Sequence, residues 1–334
     1  MTAEVYTPDT LVPATEPTFA FVGVTTGASS IMEVFPRWAA HLGIPSRIVG
    51  IDVPLDADPE TYRRVVRFFT DDPLSLGALV TTHKLNLFQA SRDLFDEIGE
   101  SAAQLAEISS ISKRDGRLLG HAMDDVTSGL AYDAIVGEAD DEVLLLGAGG
   151  SSLALTLHLH RKHRAGGGVP RRIVVTNRRP GRIDEMRAFH ERIGFALPIE
   201  YVVAPEPTVN DAALATMAPR STVINATGLG KDRPGSPLTG AARFPDGAVA
   251  WDFNYRGDLV FLDQARAQAD RGIRAVDGWF YFLHGWTRVM AQVFDIAIPT
   301  SGPAFDELSR IARLAAASRQ KKTQPRNDTE KDHA

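Results

Sequence analysis

Residues 141–154, DEVLLLGAGGSSLA, constrain this chain more than any other stretch. Val143, Leu144, Leu145 and Leu146 form a short apolar run with a β-branched start, bounded by acidic residues and glycine, the pattern of a buried strand. Gly147, Gly149 and Gly150 follow at once, so the backbone can turn tightly and come close to a ligand with no Cβ in the way. Residues 151–164, beginning at Ser151, have the composition of a helix. The first N–H groups of that helix lack intrahelical partners and its dipole favours an anion there. A pyrophosphate is the expected guest.

The glycine pattern departs from G-x-G-x-x-G at its third glycine, where Ser152 stands. The next predicted strand, 172–176, runs into Asn177, Arg178 and Arg179, with Arg182 nearby. An acidic residue there would bind the ribose 2′-hydroxyl of NAD. Two guanidinium groups suit a 2′-phosphate instead, which points to NADP. The alternatives are a tight turn with no ligand and a solvated run of charge.

A chain of 334 residues suggests about two domains and has length enough to bury a core. The net charge of −6 argues against a nucleic-acid partner. No cysteine is present, which excludes disulfides, thiolate catalysis and cysteine metal sites. The N-terminal residues lack a basic start and an apolar core, unlike a signal peptide, and no apolar run approaches the ~20 residues of a membrane span. A cytoplasmic enzyme with no membrane partner is expected. His158, His160 and His163 lack the i, i+4 spacing that puts two ligands on one helix face, so no metal is expected.

Strands are predicted at 18–24, 47–53 and 76–81, with helices at 31–42, where Pro36 would kink the helix or delay its start, at 60–69 and at 86–105. Two short strands, 108–111 and 117–119, flank an Asp115-Gly116 hairpin signal. A helix at 128–136 leads into the second half. There, strands at 143–146, 172–176, 199–203, 222–225 and 248–253 alternate with helical segments near 183–193 and 212–217. That alternation implies a parallel sheet covered on both faces. Helices are expected at 259–271, 279–294 and 306–316, while residues 1–17 and 318–334 are expected to lack fixed structure.

The order of these motifs resembles the shikimate/quinate dehydrogenase family over roughly residues 19–298. The family's V-T-x-P-x-K motif looks like Val80-Thr81-Thr82-His83-Lys84, one residue shorter and without the proline. Its G-D-N-T-D motif resembles Gly120-His121-Ala122-Met123-Asp124, and its G-A-G-G motif matches Gly147-Ala148-Gly149-Gly150. Its N-R-T motif is similar to Asn177-Arg178-Arg179. Its N-A-T-x-x-G-M motif looks like Asn225-Ala226-Thr227-Gly228-Leu229-Gly230-Lys231, and its Asp-x-x-Tyr like Asp252-Phe253-Asn254-Tyr255. The resemblance implies an α/β substrate domain at 18–126 completed by C-terminal helices at 278–317. It also implies a Rossmann-type, doubly wound dinucleotide-binding domain at 127–277. The cofactor would be NADP, held by Gly147, Gly149, Gly150, Ser151, Asn177, Arg178, Arg179, Thr227 and Gly228.

The implied reaction is reversible hydride transfer between the nicotinamide and a ring alcohol or ketone of a shikimate- or quinate-like substrate. Such chemistry needs a group to stabilise an alkoxide and one to orient the hydroxyl, and a Lys–Asp pair meets both needs. Lys84 and Asp124 stand at the family's positions for that pair, with Asp125 a rival able to cap the same helix. Ser29, Ser30, Thr81, Ser109 and Tyr255 would bind the substrate. The match fails in part here: the loop at 25–30 is one residue short of a Ser-x-Ser pair, Ser109 replaces an Asn, and Gly285 falls where the family has Gln. The aromatic run Trp279, Phe280, Tyr281, Phe282 and Trp286 is either core packing or a more apolar pocket wall. Other readings are a dehydrogenase for a carbasugar or aminoshikimate-like intermediate, and a non-catalytic NADP-binding regulator. A monomer or homodimer is expected, and the sequence leaves open the roles of His83, Lys231 and His284.

Overall fold

The computed structural model describes residues 4–137, 142–231 and 233–323, with the backbone alone over 318–323. Residues 1–3, 141 and 324–334, on which some sequence expectations fall, lie outside the described residues. Two compact units form. The first takes the chain up to Gly99, Ala106–His121 and everything from Val289, and the second takes Glu100–Leu105 and Ala122–Arg288.

In chain order the first unit contains β1 (Val5–Tyr6), β2 (Thr18–Gly23), α1 (Ile31–Leu42), β3 (Arg47–Asp52), α2 (Pro59–Asp71), β4 (Ser75–Val80), α3 (Lys84–Ser91) and β5 (Glu97–Ile98). A short helix, α4 (Glu100–Leu105), belongs to the second unit, and β6 (Ser110–Arg114) and β7 (Arg117–His121) return to the first. The second unit continues with α5 (Asp124–Val136), β8 (Glu142–Leu146), α6 (Gly150–Arg164), β9 (Arg172–Asn177), α7 (Pro180–Arg192), β10 (Ile199–Val203) and α8 (Pro207–Ala215). It ends with β11 (Thr222–Asn225), β12 (Val249–Asp252), α9 (Val260–Arg266), β13 (Arg274–Val276) and the first part of α10 (Trp279–Phe294). The last helix is α11 (Pro303–Thr323).

The first unit is built on a seven-stranded sheet of order β1-β3-β2-β4-β6-β7-β5. Its strands pair in parallel except for β6, which runs antiparallel to β4 and β7. Asp115 and Gly116 join β6 to β7 with φ of 51° and 77°, the two positive angles of a type I′ hairpin turn. The second unit has an all-parallel sheet of order β10-β9-β8-β11-β12-β13, the 3-2-1-4-5-6 order of a doubly wound dinucleotide fold. Both faces of that sheet are covered, which is why Leu144 and Leu145 lie in separate apolar clusters and every residue of β8 is buried. The order reverses between β8 and β11, and the glycine turn leaves β8 at that point.

Four expectations are corrected. Residues 86–105 are not one helix: α3 ends at Ser91, a 3₁₀ turn covers Arg92–Leu94, and β5 pairs with β7. Asp96 causes the break, because its carboxylate accepts from Leu118 N–H at 2.7 Å while its own N–H donates to the Leu118 carbonyl at 2.9 Å. The N-terminal segment, expected to lack fixed structure, adds β1 to the edge of β3, and Ala14 N–H bonds the Asp72 carboxylate at 2.9 Å. The last helix extends through Thr323, seven residues past its expected end at 316. Pro36 does not delay α1, which begins at Ile31 as its spacing predicts. A strand at the far edge, β13, was too short and too polar in pattern to be expected.

Candidate functional site

The second unit presents a cavity of about 780 Å³ at the switch point of its sheet. Its lining includes Gly147, Asn177, Arg178, Arg179, Glu206, Thr227, Gly228 and Arg233. Gly147 has φ of 113°, and a Cβ there would stand 3.0 Å from the Ala226 carbonyl oxygen and 3.2 Å from Thr227 Cγ2. Glycine is therefore required by both backbone angle and close approach. Gly149 is the N-cap of α6, and a Cβ on it would meet nothing within 4 Å. Packing does not demand that glycine, and the space left open beside it is what an approaching anion needs. Ser151 lies in the first turn of α6, whose N–H groups face outward from the turn.

Ser152, the departure from the glycine pattern, is fully buried and donates its hydroxyl to the Gly147 carbonyl at 2.6 Å. It closes the turn that the third glycine would otherwise serve. Asn177 fixes the turn to the arginine loop: its Oδ1 accepts from Ala148 N–H at 3.2 Å and its Nδ2 donates to the Arg179 carbonyl at 3.0 Å. Arg178 and Arg179 are exposed on the cavity, whereas Arg182 pairs with Glu185 at 2.6 Å. Arg233 lines the same cavity from a loop 54 positions further along the chain. No local spacing in the sequence signals it. Three guanidinium groups around a glycine turn at a helix start fit a dinucleotide phosphate.

Thr227 and Gly228 are held by a buried carboxylate. Asp252, fully buried at the end of β12, accepts from Asn254 N–H and Nδ2 at 2.8 Å each and from Asn225 Nδ2 at 2.9 Å. Asn225 Oδ1 in turn accepts from Thr227 N–H at 3.1 Å and Thr227 Oγ1 at 2.6 Å. Burial pushes the Asp252 carboxyl up to about 6, against the hydrogen bonds that favour its ionised form.

In the first unit, the loops after β2 and β4 lie together. Gly23 sits between them, with its Cβ direction 3.1 Å from Thr81 Oγ1 and 3.2 Å from Thr26 Cγ2. Thr26 is pinned by Asp52, whose Oδ1 accepts from its N–H at 2.7 Å and its hydroxyl at 2.6 Å. Ser29 and Ser30 follow, half-buried, with Ser30 at the N-cap position of α1. Lys84 is the first residue of α3, and its carbonyl accepts from Ile108 N–H at 3.2 Å. Ser109, buried, accepts from Val80 N–H at 2.9 Å. Thus Thr81, Lys84 and Ser109 are brought to one end of the sheet.

His83 is the residue that precedes α3. It is buried, its Nε2–H donates to the Val53 carbonyl at 2.9 Å, and its Nδ1 accepts from the Tyr62 hydroxyl at 3.0 Å. Burial lowers its pKa, and both ring nitrogens are engaged inside the unit. The turn it anchors is strained, with Thr82 at φ of 48°.

Asp124 is the first residue of α5 in the second unit and half-buried. Its rival Asp125 is buried, accepts from Ser101 Oγ at 2.9 Å and is ion-paired with Arg161. The Asp125 carboxylate is thus engaged within the second unit. Tyr255 follows β12 and packs its ring 4.6 Å from Phe282 and 5.9 Å from Trp279. Phe253, Tyr281 and Trp251 make a separate core cluster, so the aromatic run divides between core and a second group around Tyr255. His284 is buried, and burial lowers its pKa to about 4. At Gly285 a Cβ would meet nothing within 4 Å. Among the described residues, no group of three or more His, Asp or Glu could hold a metal ion, and no helix is long and apolar enough to cross a membrane.

The sheet order and the glycine turn define a two-unit α/β protein whose second unit is of Rossmann type. No family model matches the chain. It is 29% identical over 246 residues to the NADP(+) shikimate dehydrogenase of Symbiobacterium thermophilum, covering 72% of this chain and 76% of that protein. It superposes with a TM-score of 0.65 on shikimate 5-dehydrogenase of Thermus thermophilus in complex with NADP(H) and shikimate, at 23% identity over 89% of this chain and 99% of that one. It superposes with a TM-score of 0.66 on ligand-free 5-ketofructose reductase of a Gluconobacter strain, at 18% identity over 90% and 98%. In sequence the chain is similar to shikimate dehydrogenases, and its fold is theirs.

The Asp252 carboxyl titrates near 6 when folded and near 3.8 when unfolded. Between those values the folded chain holds a proton that the unfolded chain releases, so this group's contribution to stability falls as pH rises towards 6 and levels off above 7. Urea unfolding of wild type and Asp252→Asn from pH 4.5 to 8 should show the wild type losing stability relative to the variant across that window. A pH-independent difference would contradict the assignment.

Proposed function

We propose that the chain is an NADP(H)-dependent oxidoreductase acting reversibly on a ring alcohol or ketone. Its substrate would be cyclic and related to shikimate, with fewer or differently placed polar groups. The observation that carries this reading is the arginine-lined cavity around the Gly147 turn, at the switch point of a Rossmann-type sheet. The relative from S. thermophilum is named for NADP(+) and shikimate, which supports the same reading.

When bound, the cofactor supplies or accepts a hydride at its nicotinamide. The turn residues Gly147, Gly149, Gly150 and Ser151 would hold the pyrophosphate, and Arg178 and Arg179, positioned by Asn177, the 2′-phosphate. Thr227 and Gly228 form the opposite wall. Glu206, the N-cap of α8, stands beyond β10 and not at the end of β9, where a ribose-binding carboxylate belongs. By the resemblance, Lys84 would stabilise the developing alkoxide by its charge, and Asp124 would act on the substrate hydroxyl. By the resemblance, Thr81, Ser109, Ser29 and Ser30 would bind polar groups of the substrate, and Tyr255 is assigned to substrate binding as well.

Lys84→Met should lower turnover by roughly 10²-fold, the scale of lost acid–base help, while NADPH affinity stays within about twofold. Steady-state assays with a panel of cyclic alcohols and ketones, alongside calorimetric binding, check both. Near-normal turnover would place the proton chemistry on another residue.

Gly285 stands where the family has Gln, and the space around it is open. A fold neighbour named as a 5-ketofructose reductase indicates that this architecture is compatible with more than one substrate. An unmet polar group costs about 1–3 kcal/mol, so the missing amide alone should cost roughly tenfold or more in shikimate specificity. Gly285→Gln should therefore raise kcat/KM for shikimate by about tenfold without loss of stability. No gain, or a wild type already at ~10⁴ M⁻¹s⁻¹ or above on shikimate, would contradict this reading of the pocket.

A further inference from the structure

The arginine that the sequence did not single out has its own place in the cavity. Arg233 follows β11 in a loop folded back on itself. Its N–H donates to the Gly228 carbonyl at 3.2 Å, its carbonyl accepts from Gly230 N–H at 2.7 Å, and it bridges to Leu229. Gly228 follows Thr227, whose methyl lies against Gly147. The backbone of Arg233 is thereby held on the side of the cavity where the glycine turn and the start of α6 lie. Arg178 and Arg179 leave β9 instead, on the side where Asn177 pairs with Val203 of β10.

The loop that carries Arg233 is fixed at both ends. On one side, Leu259 N–H donates to the Gly230 carbonyl at 3.1 Å. Gly257, with φ of 98°, packs so close that a Cβ would stand 2.2 Å from the Gly230 oxygen. Leu259 itself is held at φ of 48°. On the other side, the Pro237 carbonyl accepts from Asn210 Nδ2 at 2.8 Å, Thr239 N–H donates to Asp211 at 3.1 Å, and Ser236 bonds Gln264 at 2.7 Å. The described residues 228–231 and 233–239 thus follow β11 and are tied down on α8 and α9, with Gly228, Arg233, Ser236 and Pro237 all lining the cavity. Backbone strain and tight packing at one anchor mean that the side chain is offered from a preset base.

We infer that Arg233 binds the pyrophosphate of the dinucleotide, so that the cavity has two cationic corners with different tasks. This rests on the cofactor reading above and deepens it. A pyrophosphate diester brings two negative charges to a helix start worth roughly half a charge, so the turn and dipole leave most of that charge unmatched. The Arg233 guanidinium, carried on the same side as the turn, supplies a planar pair of donors suited to phosphate oxygens. Arg178 and Arg179 are left to the 2′-phosphate, which makes cofactor choice and overall cofactor affinity separable properties of this chain.

Binding of NADPH, NADH, ADP and adenosine 2′-monophosphate to the full chain, measured by titration calorimetry, tests this. Arg233→Ala should raise the dissociation constants of NADPH, NADH and ADP by a common factor of about ten and leave that of adenosine 2′-monophosphate unchanged. Arg233→Lys should recover part of the loss. The pair Arg178→Ala and Arg179→Ala should do the reverse, weakening NADPH and adenosine 2′-monophosphate and sparing NADH and ADP. If Arg233→Ala leaves ADP binding unchanged, or weakens adenosine 2′-monophosphate instead, the assignment of Arg233 is overturned while the cofactor reading stands. If the wild type binds none of the four, the cofactor reading falls and the assignment with it.

Discussion

The contact between Gly147 and the exit of β11 is the constraint on which the second unit's cavity depends. Strand β8 ends where the sheet order reverses, and its turn must pass close to Ala226 and Thr227. Only a residue without a Cβ makes that passage at φ of 113°. Each wall of the cavity is then built by an independent device. Ser152 closes the turn from within α6, Asn177 ties the turn to the arginine loop, and Asp252 holds Asn225 and Thr227 from below. The cost of burying Asp252 shows in its raised pKa, and three donors at 2.8–2.9 Å offset that cost.

The first unit positions Lys84 by comparable means. A buried histidine, bonded on both ring nitrogens, anchors a turn in which Thr82 adopts a left-handed angle. A proline would set such a turn through its own ring. His83 does so through partners on α2 and the segment after β3, which makes the turn's geometry a property of the unit's core and not of the turn alone. The loop after β2 is fixed likewise, by Asp52 against Thr26, and Gly50 leaves the room, since a Cβ there would stand 2.0 Å from the Thr26 hydroxyl.

The parallel sheet of the second unit was legible because β8 and β9 carry continuous apolar runs, residues 143–146 and 173–175, as strands buried on both faces do. The I′ hairpin at Asp115-Gly116 was legible because its two residues are among the few that accept positive φ together. The break at 91–98 was not, since helical composition continues through it and the decisive bond, Asp96 to Leu118, joins residues 22 apart. Arg178 and Arg179 announced themselves by following a strand, whereas Arg233 reaches the same cavity through a loop whose path depends on Gly257 and Asn210. The choice between Asp124 and Asp125 likewise needed the fold, because only packing reveals that Arg161 and Ser101 engage the second of them.

We read the arginine-lined cavity as an NADP site. Competitive calorimetric titration of the unmodified chain with NADPH and NADH at fixed ionic strength addresses it most directly. NADPH should bind at least about tenfold more tightly, with the gap narrowing as salt is added, because the difference lies in charge-assisted bonds at the 2′-phosphate. Equal affinity for the two cofactors, or tighter binding of NADH, would contradict it.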